Sequence, residues 1–273
     1  MCFLLMENAK WIYFNIINRF ILDMEKIMKL GLLAAFAAVF VACSGSDDDK
    51  SGIDTSTRTI SVGDSVKIDG AQTLVSADKF VAYANNQGYI KAFHVGQTTV
   101  TVNGSTKIPV VVKGVQTGFS DPVTVWGCSK SYVKQHHTVG SLYKEDEDYV
   151  TYKSNGNIQA FLYSFEDSKL KAATTAVSLS NAVDYATYLS ERYLPIDETD
   201  GIYMFVDALS TSTCKTVVGF GYQSGHYMAV FMDASSISSS SSAKTQTRGI
   251  LLDEGVLQKL KAAWNEAKNK MVE

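Results

Sequence analysis

The chain has 273 residues, and its 25 Lys and Arg against 28 Asp and Glu leave a formal net charge of −3. A phosphate backbone calls for a basic face and none is visible, so nucleic acid is not an expected partner. Four cysteines are present.

Residues 30–41 form an apolar run without charge, preceded by Lys26 and Lys29 and closed by the small residue Ala42, the layout of a secretory signal. The run falls short of the roughly 20 residues that a bilayer core requires, so a spanning helix is not expected. Cys43 stands directly after Ala42, and Asp47, Asp48 and Asp49 come soon after it. Phe40-Val41-Ala42-Cys43 resembles the lipobox of bacterial lipoproteins, with the bulky Phe40 where an aliphatic residue is usual. The acidic tract resembles the surface-export signal of one Gram-negative lipoprotein group. This resemblance implies that the Cys43 thiol is acylated and becomes the new N-terminus. It also implies an outer-membrane protein that holds the membrane through its lipid and faces the cell exterior.

Residues 1–23, with Trp11 and Tyr13-Phe14, lie ahead of an already complete signal, which points to Met24 or Met28 as the start. Residues 1–42 then read as a spurious upstream segment plus signal peptide, and Cys2 drops out of the account. Residues 43–56 are Ser, Gly, Asp and Thr with almost nothing apolar. They bury too little surface to offset their ordering entropy and read as a flexible acidic tether. The rest of the chain is long enough for one medium domain or two small ones.

From residue 57 to 113 strands are expected over 59–62, 65–68, 81–84, 89–94, 98–102 and 107–112. Val100 and Val102, then Ile108, Val110 and Val112, alternate and would face one core. Asn103-Gly104 supplies residues that tolerate positive φ, as a tight hairpin demands, and Asn85-Asn86-Gln87-Gly88 does the same earlier. No helical period interrupts the block, so a small β-sandwich is expected. Val62-Gly63-Asp64, Phe80-Val81-Ala82, Gly88 to Ala92, Val95 to Val102 and Pro109 to Val112 resemble the bacterial immunoglobulin-like group 2 repeat. The stretch 67–79 is shorter than in that family and lacks its usual Trp and Ser-rich turn. Such modules serve mostly as spacers or adhesive units of exported proteins, and the resemblance implies that much.

The character of the chain changes after residues 113–118. Ser129 caps an expected short helix over 130–137, and strands are expected at 149–153, 158–166 and 170–179. Residues 181–194 keep helical spacing in Ala182, Tyr185, Ala186, Leu189 and Tyr193. Strands return at 202–209, 213–221 and 226–232. Residues 118–273 therefore read as an α+β domain with an antiparallel sheet, and the order suggests two copies of one α-β-β-β unit whose helices cover one face. This part resembles small α+β domains of lipoproteins with a Trp-Gly-x-Ser helix start and, more remotely, two-repeat folds of the TATA-box-protein kind. Neither resemblance supplies a catalytic residue. A Ser-rich loop over 235–242 precedes an edge strand at 244–252. A closing helix over 253–272 then stacks Leu257, Leu260, Trp264, Ala267 and Met271 on one face.

Chemistry is sparse. His136 and His137 are adjacent, and neighbours on a helix point about 100° apart, so no metal site is expected from them. Glu145 to Asp148 reads as a solvated turn. A Cys/His pair from Cys128 with His137 or His226 lacks any surrounding signature. An exported location favours a disulfide between Cys128 and Cys214 or two buried thiols. No Gly-x-Ser-x-Gly elbow occurs, and Gly219, Gly221 and Gly225 miss the dinucleotide spacing. No cofactor is expected.

The aromatic pattern is the strongest anomaly. Over 158–166 one parity gives Ile158, Ala160 and Leu162, the other Phe161, Tyr163 and Phe165, so both faces of the sheet are apolar. The second face is expected under the closing helix through Leu257 and Trp264, or open as a binding surface formed by Phe161, Tyr163 and Phe165. The expected function is a non-enzymatic, lipid-anchored surface protein whose distal domain binds a protein or glycan. The alternative is an envelope enzyme with its site in residues 118–273. A deep pocket with converging titratable groups favours the enzyme.

Overall fold

Alternating apolar residues build the first half of the molecule. The computed structural model describes residues 53–199, 201–210, 212–223, 225–236, 244–247 and 250–253; the signal region with Cys43, and the helix expected beyond Asp253, lie outside them. Seven short strands come first: β1 (Arg58–Ser61), β2 (Ser65–Lys67), β3 (Leu74–Ser76), β4 (Ala82–Ala84), β5 (Tyr89–Ala92), β6 (Gly96–Val102) and β7 (Thr106–Lys113). They form a four-stranded sheet in the order β1-β7-β6-β3 and a three-stranded one in the order β2-β5-β4. Val100, Val102, Ile108, Val110 and Val112 project from the larger sheet, and Ala82, Ile90 and Ala92 from the smaller, into one buried cluster. β1 runs parallel to β7, the one parallel pairing among the described strands.

Asn103 (φ 50°) and Gly104 (φ 76°) make the tight turn between β6 and β7, as a hairpin that matches strand twist requires. Asn103 Oδ1 also accepts hydrogen bonds from the backbone of Gln72 and Thr73 at 2.8 and 3.1 Å. These bonds fix the lead-in to β3, a strand that sequence alternation does not signal.

The second half opens with α1 (Lys130–His136), where the Ser129 hydroxyl accepts from the Tyr132 N–H at 3.2 Å. Four strands follow: β8 (Ser141–Glu145), β9 (Tyr149–Lys153), β10 (Ile158–Glu166) and β11 (Lys169–Val177). A 3-10 turn leads into α2 (Ala182–Ser190), and four more strands come after it: β12 (Leu194–Thr199), β13 (Ile202–Val206), β14 (Thr216–Gln223) and β15 (His226–Asp233). All eight join in one antiparallel sheet in the order β12-β13-β14-β15-β11-β10-β9-β8. A separate hairpin pairs β16 (Lys244–Thr247) with β17 (Ile250–Asp253). Each helix thus precedes four strands rather than three: β8 ends at Glu145, where the expected acidic turn begins, and β12 starts at Leu194, where the expected helix ends.

Both helices cover the same face of the large sheet. Val133 from α1 and Tyr185, Tyr188 and Leu189 from α2 share a cluster with Phe161, Tyr163, Phe165, Phe220 and Phe231. The opposite face carries Ile196, Met204, Val206, Val217, Met228 and Val230, also buried. A register shift between Ile158 and Ala160 reverses the simple parity of β10. Ile158 joins Phe161 and Tyr163 under the helices, whereas Ala160 packs on the opposite face. A β-bulge inserts one unpaired residue and so moves a side chain across the sheet.

Candidate functional site

The aromatic rings of β10 are core. Phe161 and Tyr163 are fully buried and Phe165 nearly so, which corrects their reading as a binding surface. The physical cause is position: β10 lies inside the sheet between β9 and β11, and both helices dock over its aromatic side. Lys130 further covers Phe165, its ammonium 5.5 Å from the ring centroid.

Beneath the C-terminal end of α1 a chain of hydrogen bonds runs through this core. The Val123 N–H donates to the Tyr163 hydroxyl at 3.2 Å, and the hydroxyl in turn lies 2.9 Å from His137 Nδ1. His137 Nε2 bonds the Val139 carbonyl. A carbonyl only accepts, so Nε2 carries the proton and Nδ1 receives that of Tyr163. The imidazole also lies 3.9 Å from the Tyr152 ring at a tilt of 37° and meets Phe161 edge-on at 4.8 Å. Burial pushes the His137 pKa down and the Tyr163 pKa up, so it favours the neutral form of each. This histidine has both nitrogens committed to packing the fold. His136 lies apart, bonded to the Tyr132 carbonyl at 2.8 Å and stacked on that ring.

The two cysteines sit on opposite sides of the sheet. Cys128 packs against the helix-covered cluster and Cys214 against the other, and both thiols are free. The bridge expected between them is therefore not formed, because the eight-stranded sheet lies between. Burial raises the Cys128 thiol pKa and pushes that of Cys214 up to about 12. A nucleophilic cysteine needs the opposite shift.

The acidic run is a hairpin turn. Asp146 Oδ1 accepts from the Asp148 and Tyr149 N–H groups at 2.9 and 3.1 Å, and Glu145 pairs with Lys134 at 2.7 Å. Among the described residues no three metal-ligating side chains converge.

A buried carboxylate joins the two halves of the molecule. Glu191, directly after α2, accepts the Gln116 N–H on its carboxylate, and its own carbonyl accepts the Val95 N–H at 2.7 Å. Arg192 lies 3.5 Å above the Tyr188 ring and reaches Asp121 at 3.4 Å. Sequence reasoning does not find Glu191, since a single acidic residue at a helix end carries no signal of what lies beyond it.

The aromatic residues that do face outward belong to the small sheet of the first half. Tyr83 is 45% exposed, Tyr89 and Phe93 41% each. Tyr89, Lys91 and Phe93 alternate along β5 and its continuation, and Tyr83 on β4 stands directly opposite Lys91. Lys67 on β2 faces Tyr89. The Lys91 ammonium lies 5.6 Å from the Phe93 ring centroid. The signal is present in the order Tyr-Ile-Lys-Ala-Phe, whose odd positions are aromatic or basic and whose even positions are core.

No family model and no curated protein matches this chain.

Proposed function

We propose that the chain is a lipid-anchored, non-enzymatic binding protein of the bacterial outer membrane, exposed to the exterior. In this reading Cys43 carries the lipid and residues 43–56 form a tether. Residues 57–113 act as an immunoglobulin-like spacer related to the bacterial group 2 repeats. Residues 118–273 form an α+β domain of two related units.

The observation that carries the reading is the sequence around Cys43: a charge-free apolar run ending on Ala42, the cysteine, and three carboxylates within six residues. The two sheets sharing one core in residues 58–113 support the sandwich. The mirrored order of the large sheet, four strands inward from each edge to a β15-β11 junction, supports two units of helix plus four strands. Binding rather than catalysis is supported by the raised cysteine pKa values and by a histidine whose nitrogens are both engaged in the core. It is further supported by the half-exposed rings of the small sheet. The partner is a protein or glycan outside the cell.

Fractionation of producing cells tests this. Native protein is expected in the outer-membrane fraction and to be removed by protease added to intact cells, and Cys43→Ala is expected to release it from the membrane. Retention of Cys43→Ala in the membrane, or protection of the native protein from external protease, would overturn the proposal.

A further inference from the structure

The solvent face of the small sheet departs from what its neighbour does. On the larger sheet of the same sandwich, the outward residues of β6 and β7 are Gln97, Thr99, Thr101, Lys107, Pro109, Val111 and Lys113, without a ring among them. On the smaller sheet the outward residues are Ser65 and Lys67 on β2, Tyr83 on β4, and Tyr89, Lys91 and Phe93 along β5. Half are aromatic and two are cations; the exposed Asp69, just past β2, sets a carboxylate 4.0 Å from Lys67 and leaves Lys91 as the central cation. Aromatic residues favour strands for their packing, but that preference acts on both sheets alike and does not explain the asymmetry.

The geometry is that of a shallow platform. Alternate residues on a strand stand about 6.7 Å apart, twice the rise per residue, and adjacent strands about 4.8 Å. Tyr89, Lys91 and Phe93 therefore form a row with Tyr83 flanking its middle. The opposite sides of the same strands are fixed by Ala82, Ile90 and Ala92, all fully buried. Phe93 and His94 are held by their N–H groups on the Val81 carbonyl. The rings project from a rigid support, so little ordering entropy opposes binding there.

Area and charge decide the class of partner. At about 40% exposure of the roughly 200 Å² that an aromatic residue carries, three rings present a few hundred Å² with their lysines. A stable protein interface buries about 800 Å² on each side, and this platform falls short of it. Nucleic acid requires more cations than Lys67 and Lys91 supply, and Asp69 already draws Lys67 at 4.0 Å. A sugar chain fits the dimensions: the electron-rich ring face attracts the electropositive C–H edges of a pyranose. The central ammonium of Lys91 adds a partner for an acidic substituent.

We infer that the solvent face of the small sheet, through Tyr83, Tyr89 and Phe93 around Lys91, is a binding site for an acidic polysaccharide with uronate groups. The rings stack on its sugars, and Lys91 pairs with a carboxylate. This names the ligand class of the binding role proposed above and rests on that role for the ligand's place outside the cell.

Calorimetric titration of the full-length protein in detergent with an oligogalacturonate and with a neutral oligogalactan of the same length tests it. The acidic oligomer is expected to bind more tightly, with a preference that fades as salt rises. Tyr83→Ala and Phe93→Ala are each expected to weaken binding of both oligomers about tenfold. Lys91→Gln is expected to erase the preference for the acidic oligomer while neutral binding persists. Because all three side chains are partly exposed, each variant is expected to lose little stability and to remain folded at the temperature of the titration. The inference is overturned by absence of binding at millimolar oligogalacturonate, by equal affinity for both oligomers, or by binding that survives the double variant Tyr83→Ala/Phe93→Ala. It is overturned equally if anionic lipid vesicles, and neither oligomer, bind through these residues. Cell fractionation of Cys43→Ala reads the anchor independently, so failure of the glycan site and failure of the surface reading are distinguishable.

Discussion

The Gln116 backbone N–H lies 3.1 Å from each carboxylate oxygen of Glu191, a three-centre bond between the segment that leaves the sandwich and the end of α2. Glu191 is 6% exposed, with the Arg192 guanidinium 3.7 Å away. A Cβ on Gly114 would fall 2.6 Å from Glu191 Oε2, so the connecting segment rests directly on the carboxylate. The connection between the sandwich and the eight-stranded half is thus a packed joint in which one side chain satisfies a backbone donor.

Removing that acceptor leaves the half-buried Gln116 N–H without its partner. Glu191→Ala is expected to lower the unfolding free energy by about 1–3 kcal/mol and to make residues 113–118 a preferred site of limited proteolysis. Urea titration with a protease digest checks both; native-like stability together with native-like cleavage would show that the joint contributes nothing.

Glycine substitutions separate backbone strain from collision. At Gly104 (φ 76°) a Cβ would have nothing within 4 Å, whereas at Gly140 (φ 79°) a Cβ would run into the Lys153 carbonyl. Gly104→Ala is expected to cost only the left-handed penalty of about 1–2 kcal/mol. Gly140→Ala adds a clash with backbone that cannot swing aside and is expected to cost distinctly more. Equal melting temperatures for the two variants would contradict this account of Gly140.

Acid is expected to weaken the fold through two histidines. Burial lowers the pKa of both His94 and His137, so the unfolded chain takes up their protons more readily than the native one does. Their contribution is complete above the ordinary histidine value of about 6.5 and is lost as pH falls through the lower folded values. Urea midpoints at pH 7.5 and 5.5 are expected to differ, with a smaller difference in His94→Gln/His137→Gln. An identical pH dependence in that variant would assign the loss to other groups.

Much of this architecture is legible in the sequence, and the losses have identifiable causes. Asn103-Gly104 announces its turn because both residues tolerate positive φ, and Val100 to Val112 announce a core because the pleat has a period of two. The outer strand β8 escapes notice because all five of its residues are exposed and the pattern carries no alternation. β12 escapes it because the strand comes close behind α2 and contains Pro195, which an edge strand tolerates. The parity of β10 is lost at the Ile158/Ala160 bulge, an event of pairing rather than of composition. The separation of Cys128 from Cys214 depends on the order in which eight strands assemble, which neither cysteine's neighbours encode. The outward rings Tyr83, Tyr89 and Phe93 are each ordinary alone, and they meet only across the β4-β5 pairing.

The same separation predicts thiol chemistry. Cys128 and Cys214 are expected to remain reduced in protein prepared without reductant, and Cys214 to resist iodoacetamide at pH 7.5 until urea is added, because its pKa is pushed up to about 12. Intact mass after alkylation under native and denaturing conditions checks this. A mass deficit of two hydrogens, resolved by digestion to a Cys128–Cys214 peptide, would place the cysteines together and contradict the topology.

The most direct test of the surface-lipoprotein account is mass spectrometry of the N-terminus of the protein taken from its native membrane. The account predicts a mature chain that begins at Cys43, carries acyl chains on that residue and lacks residues 1–42. A native peptide spanning Ala42 and Cys43, or an unmodified Cys43 thiol, would contradict it.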